Sequence, residues 1–232
     1  MGPNSESTSD YRDLSGSTLM SDVSIIHSFE GVPGPIADQA AIAQSFTGAG
    51  AGPSATARNG VAYIGAGQVG AGLEFDGTND TVLLGNLSES NRSYSLWVFP
   101  ERPGVTQRIT RGGTTDAFGV MINSTSNRWQ IGSVGSGSPV KYFEWNHLVW
   151  VSGVGLYVNG VLDIAGTQTN NQSNIPVYLG SNNTANEYFQ GRMDEFILWN
   201  RLLTVSEVRD LYRRGSAKNH FQVRACIQYA RH

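Results

Sequence analysis

The residues best suited to chemistry lie in the stretch 191–208, GRMDEFILWNRLLTVSEV, where Asp194 and Glu195 interrupt a run of Phe, Ile, Leu and Trp. Two carboxylates can act as acid and nucleophile, or as acid and base, when both face one bond. On a strand, neighbouring side chains point to opposite faces. The alternation therefore predicts Met193, Glu195, Ile197 and Trp199 on one side, and Asp194, Phe196, Leu198 and Asn200 on the other. Adjacent acids would meet one substrate only across a bulge. His27, His147, His220 and His232 are scattered without metal-ligand spacing, and no Ser-His-Asp set can be proposed. His147, close to Trp145, reads as a packed or edge histidine. With no strand presenting alternating acids, the expectation is that the chain has no catalytic residues and is not an enzyme.

A second chemistry is sugar binding, which needs exposed aromatic faces beside polar hydrogen-bonding groups. Trp97, Trp150 and Trp199 lie in strongly apolar runs and read as core. Trp129 in SNRWQIG and Trp145 in KYFEWN lie near turns, and with Tyr142 and Tyr188 they form the candidate carbohydrate-binding set. The Asn-rich stretches QTNNQSN at 168–174 and SNNTANEY at 181–188 could line a rim or serve as solvent turns.

The elements that must position these groups are short strands. The chain has 232 residues, 28 of them glycine, and only 15% are charged. Asn, Ser and Thr crowd the segments between apolar runs. Strands are predicted near 24–29, 61–64, 72–75, 81–84, 94–99, 105–110, 117–122, 128–131, 147–151, 177–180 and 189–200, with a last one at 221–229. GLYVNGVLDIA at 155–165 predicts a hairpin turning at Asn159-Gly160. TVSEVRDLYRR at 204–214 predicts one short helix. Thr204 and Glu207 would form a capping box, Val205, Val208, Leu211 and Tyr212 an apolar face, and Gly215 the stop. Residues 31–60 form a long Gly/Ala/Pro-rich connection. The lone Cys226 reads as a half-buried strand thiol.

The formal charge of −3 and the lack of a basic stripe predict no nucleic-acid partner. No run is long enough to insert in a membrane, and no secretion signal is visible. Sequons such as those at Asn86, Asn91, Asn123, Asn171 and Asn182 read as turn chemistry.

Landmarks at HSFEG 27–31, GLEFDGTNDTVLLG 72–85, YSLWVFPE 94–101, WNHLVWV 145–151, PVYLGSN 176–182 and FQGRMDEFILWNRLLTVSEVRDLYRRG 189–215 follow one another in a familiar order. In them the chain resembles the laminin-G-like, concanavalin A-like lectin/glucanase domains of the bacterial and viral type. The resemblance implies an all-β fold, a two-sheet antiparallel jelly-roll sandwich with one short C-terminal helix. It also implies a possible structural calcium ion, at the positions matching Glu30, Asp38 and Asp194. Asp76 and Asp80 in DGTND are a further acidic cluster, although such dipeptides are ordinary turn formers.

The expected organisation is an N-terminal arm at 1–22, a jelly-roll domain at 23–215 and a C-terminal extension at 216–232. The arm offers Tyr11, Leu14, Leu19 and Met20 as apolar anchors for assembly with a neighbouring subunit, either a second copy or a capsid or tail protein. The functional expectation is a non-catalytic structural or adhesive protein at a virion or cell surface, such as a capsid-decorating protein. The alternative is a free-standing carbohydrate-binding lectin with glycan partners.

Overall fold

The computed structural model describes residue 19 and residues 21–29, 31–37, 41–42, 46–47, 55–113, 116–167, 172–181 and 186–216. Two antiparallel sheets face each other. The larger has ten strands. Its main path runs β16 (Val161–Ala165), β15 (Gly155–Val158), β14 (Asn146–Val151), β9 (Ser93–Pro100), β18 (Gln190–Trp199), β7 (Gly72–Asp76), β6 (Ala62–Ile64) and β2 (Gly34–Pro35). β1 (Val23–His27) also pairs with β18 and carries β4 (Phe46–Thr47) on its other edge. The second sheet has eight strands, in the order β13 (Gly135–Pro139), β12 (Arg128–Ile131), β11 (Ala117–Asn123), β10 (Gln107–Gly112), β17 (Ile175–Leu179), β8 (Thr81–Leu87), β5 (Ala55–Arg58) and β3 (Ala41–Ile42). This is the all-β sandwich that the sequence predicts.

Alternating residues of both sheets fill the space between them. Leu73, Phe75, Leu96, Val98, Leu148 and Trp150 come from one side, and Val82, Leu84, Ile109, Val120, Ile122 and Trp129 from the other. The Tyr94 ring stacks on Trp150 and Phe196. Its hydroxyl reaches across to Thr110 Oγ1 at 2.7 Å and donates to the Phe118 carbonyl. A tyrosine can be fully buried here because its one polar atom is satisfied.

Among the described residues one helix, α1 at 205–216, lies on the outer face of the ten-stranded sheet. Its start follows the predicted box: Thr204 N donates to Glu207 Oε2, and Glu207 N donates to Thr204 Oγ1. Arg201 grips the same Glu207 carboxylate through both NH1 and NH2. Val208 and Leu211 join Leu19, Ile26, Val149, Val151, Tyr157, Ile197, Trp199 and Leu203 in a second core on that face. Two predicted details are corrected. Val205, in the first turn, is exposed. Gly215 does not stop the helix, which continues through 216. Its backbone lies so close to Trp97 that any Cβ would collide with the indole.

The opening acidic pair sits at a switch in pairing. β18 pairs with β7 over Gln190–Met193 and with β1 over Phe196–Trp199. Between them the register to β9 slips, from Asp194↔Trp97 to Ile197↔Ser95, and Glu195 takes φ 54. This is a β-bulge, and it inverts the parity of the strand. Met193 therefore shares the main core with Phe196 and Leu198, while Ile197 and Trp199 lie under the helix. The predicted grouping of Met193 with Ile197 and Trp199 is overturned by that one extra residue.

Leu19 is also reassigned. It is buried in the second core, and its carbonyl accepts the Trp199 Nε1 hydrogen at 2.6 Å. The proposed assembly anchor is an intramolecular one, because Trp199 needs an acceptor for its indole N–H. Tyr11, Leu14 and Met20, the Cys226 strand and the rest of the C-terminal extension lie outside the described residues.

Candidate functional site

On β9, Leu96 and Val98 face the core, so Trp97 and Phe99 face outward. Trp97 is covered by α1, with Tyr212 stacked at 6.0 Å. Phe99, one step further along the same face, meets the Trp145 ring edge-on at 5.5 Å. The Arg192 guanidinium lies 5.0 Å from the Phe99 ring, and Arg192 NH2 pairs with Glu101 Oε1 at 3.2 Å. The turn bearing Trp145 is tied down at three points. Phe143 N donates to the Pro100 carbonyl, and Asn146 Nδ2 donates to the carbonyls of Lys141 and Glu144. Phe143, held at φ 60, is 62% exposed. Half-buried Trp145, exposed Phe143, Arg192 and Glu101 thus surround the end of β9, combining aromatic surface with a fixed cation and a carboxylate.

The four predicted sugar contacts separate. Trp145 lies at this surface. Tyr142, in the same turn, packs its ring on the core and donates its hydroxyl to Asn127 Oδ1, and burial pushes its pKa up. Tyr188 is half-buried and makes no ring contact with the turn among the described residues. Trp129 is fully buried in the sandwich core and presents no face to a ligand. Its neighbours Arg128 and Gln130 gave the segment a polar, turn-like appearance, yet on β12 they simply alternate with it to the outside.

The eight-stranded sheet carries an outer cluster that strand-by-strand reading missed. Arg108 NH1 binds Asp116 Oδ1, and Arg108 Nε binds Glu187 Oε2, both at 2.7 Å. Arg111 Nε lies 3.7 Å from the same Asp116. The acids come from the turn before β11 and from the segment before β18. A search for carboxylates at alternate positions of one strand could not find them.

Asp194 is buried. Its Oδ2 accepts Val69 N and its Oδ1 accepts Glu195 N, both at 2.8 Å, which fastens the turn before β7 to the bulge. Glu30 and Asp38, its expected calcium partners, lie outside the described residues. Among the described residues no group of three His, Cys, Asp or Glu side chains is placed to hold a metal ion. In the DGTND turn, Asp80 Oδ2 accepts Asp76 N, and Asp76 Oδ1 accepts Thr78 N. Burial first, and then the nearby Asp76 and Glu74 charges, push the Asp80 carboxyl up to about 6, although the Asp76 N–H bond opposes this. His147 is buried against Trp97 and Tyr212, with Nε2 at 2.8 Å from Ser95 Oγ, and burial holds its pKa down at about 3. It is a packed histidine, as predicted.

The chain belongs to the concanavalin A-like lectin/glucanase superfamily, whose laminin-G-type model matches residues 76–209. No match is found among curated protein sequences. Among solved structures, the chain is similar to domain 4 of a GH43 extracellular arabinanase from Geobacillus stearothermophilus, solved in complex with arabinotriose. The identity is 22%, the TM-score 0.60, and the match covers 82% of this chain and 98% of that domain. It is also similar to Trypanosoma rangeli sialidase in complex with 2,3-difluorosialic acid, at 15% identity and TM-score 0.60, covering 83% of this chain. A second structure of Trypanosoma rangeli sialidase gives 14% identity and TM-score 0.59. The chain spans about a third of the sialidase's length. At these identities the likeness is one of fold.

These findings correct two expectations. The fold is shared with parts of sugar-acting enzymes, which overturns the reading as a capsid-decorating structural protein. The flat exclusion of enzyme function falls with it, since it rested on a search for acids within single strands. Among the described residues no helix is long and apolar enough to cross a membrane.

Proposed function

We propose that the protein is a carbohydrate-recognition domain that binds an oligosaccharide at the Trp145 surface. The observation that carries this reading is the Trp145–Phe99 aromatic pair, flanked by the fixed Arg192–Glu101 ion pair. Sugar rings present apolar C–H faces and equatorial hydroxyls, which match an aromatic surface bordered by planar hydrogen-bonding groups. Arg192 can donate and Glu101 can accept, so adjacent hydroxyls meet both kinds of partner. Support comes from the arabinanase domain, which is matched over nearly its whole length and was solved with a bound trisaccharide.

The test is titration calorimetry with arabinotriose and a panel of neutral oligosaccharides. Trp145→Ala should weaken binding about tenfold, the loss expected of an aromatic contact worth about 1.5 kcal/mol. Phe143→Ala tests the exposed side of the turn without touching Phe99. If no neutral oligosaccharide binds, or both variants bind like the wild type while remaining folded by circular dichroism, the reading is wrong.

A further inference from the structure

We propose a second ligand site on the opposite side of the sandwich, where Arg58 and Arg111 flank Tyr178 and take the carboxylate of an acidic oligosaccharide. The class of ligand rests on the carbohydrate-binding reading above, but the site is built on a different sheet.

Cross-strand partners share a face. Ala57, Val82 and Leu179 form one paired row, and all three lie in the core. The adjacent row, Thr56, Leu83, Tyr178 and Arg111, therefore faces outward. Arg58 projects from β5 on the same side and places its guanidinium 5.8 Å from the Tyr178 ring. Arg111 is the direct cross-strand partner of Tyr178 on the other side. Arg108 and its two carboxylates continue the cluster along β10. Among the described residues, the face thus holds three guanidiniums, Arg58, Arg108 and Arg111, against two carboxylates, Asp116 and Glu187.

The excess cation can be assigned. Arg108 is held between Asp116 and Glu187, and Arg111 lies near Asp116. Arg58 has no ion-pair or hydrogen-bond partner for its side chain among the described residues, and its Nε is buried without an acceptor. It is half-buried, so water screens its charge incompletely. The Tyr178 ring lies 5.8 Å from the guanidinium and limits where it can move, which lowers the entropy lost when a planar carboxylate docks on it. Thr56, beside Leu83 and one residue from the core Ala57, supplies a hydroxyl for a neighbouring sugar ring. A uronic-type sugar carries both the carboxylate and the hydroxyls that this row can meet.

The experiment is calorimetric titration of the full chain with trigalacturonate, arabinotriose and poly-glutamate. The wild type should bind trigalacturonate, more weakly as salt is raised. Arg58→Gln should reduce that affinity about tenfold, the effect of losing one charge-assisted hydrogen bond, with the melting temperature unchanged. Arg58→Lys should recover only part of it, because the point charge lacks the fork. Trp145→Ala should leave trigalacturonate binding intact, and Arg58→Gln should leave arabinotriose binding intact, so the two sites fail separately. No trigalacturonate binding, binding indifferent to Arg58→Gln, or equal affinity for poly-glutamate would overturn the proposal.

Discussion

The two outer faces of the sandwich use the same alternation for opposite ends. On the ten-stranded sheet, the outward residues Ile26, Val149, Val151, Tyr157, Ile197 and Trp199 are apolar, because α1 and Leu19 cover them. On the eight-stranded sheet the outward row carries Arg58, Tyr178, Arg111 and Arg108, and the described helix lies on the other side. The covered face stabilises the fold by removing apolar surface from water. The other face sets a buried Arg108 between two partly exposed carboxylates and leaves Arg58 without a partner among the described residues. Outward polarity on a strand therefore reports what lies over the sheet as much as it reports solvent.

The sharpest way to break this comparison is to cut into the covered face. Trp199→Ala should cost about 3–5 kcal/mol, since it removes a fully buried indole and leaves a cavity. It also leaves the Leu19 carbonyl without its donor. Urea unfolding of wild type and variant measures the difference, and a loss under about 1 kcal/mol would show that the helix does not depend on this ring.

Next in size is the helix start. Glu207 serves the capping box and the Arg201 fork together, so Glu207→Ala should cost about 2 kcal/mol. Glu207→Gln keeps one capping acceptor and should cost less. Equal losses would place the effect in the Arg201 pair rather than in the cap.

On the opposite face, Arg108→Met should cost about 1–2 kcal/mol, more than an exposed ion pair would, because Arg108 itself is buried. Asp116 and Glu187 remain partly exposed, so water can replace the lost donors. A loss as large as that of Trp199→Ala would erase the distinction between the two faces.

Two further effects depend on pH, and they have opposite signs. Asp80 has its folded pKa raised from its ordinary 3.8 to about 6. Its contribution to stability is complete below about pH 4 and is lost as pH rises through 6. His147 has its folded pKa lowered from 6.5 to about 3. Its contribution is present above pH 6.5 and is lost as pH falls towards 3. Asp80→Asn should therefore raise the melting temperature at pH 7 and have no such benefit near pH 4. Relative to wild type, the variant should lose stability more steeply on acidification, because the opposing histidine acts alone. Parallel melting profiles from pH 4 to 7 would show that Asp80 titrates normally.

Several features were legible because their physics is local. Asn159 and Gly160 both take positive φ, 51 and 81, as a two-residue turn between strands requires. Thr204 and Glu207 cap the helix because the two partners are three residues apart. The turn position of Trp145 was legible because the segment around it is polar and short. Strands β5 and β13 were not seen, since ATAR and GSGSP are small-residue segments with little β-propensity of their own, and their neighbours impose the extended form.

By itself, the sequence determined the sandwich class, the hairpin and the cap. Tertiary structure alone decided the rest. Glu195 became a bulge because β18 changes partner from β7 to β1, and parity downstream of it follows the bulge. Gly215 was kept small by the Trp97 ring rather than by a helix stop. Trp129 went inside because β12 is a full member of the sheet. Arg58, Tyr178 and Arg111 met because β5, β17 and β10 were brought together by pairings between residues far apart in the chain. Periodicity assigns a side chain to a face, but register and bulges decide which face is the core and which distant residues stand beside it.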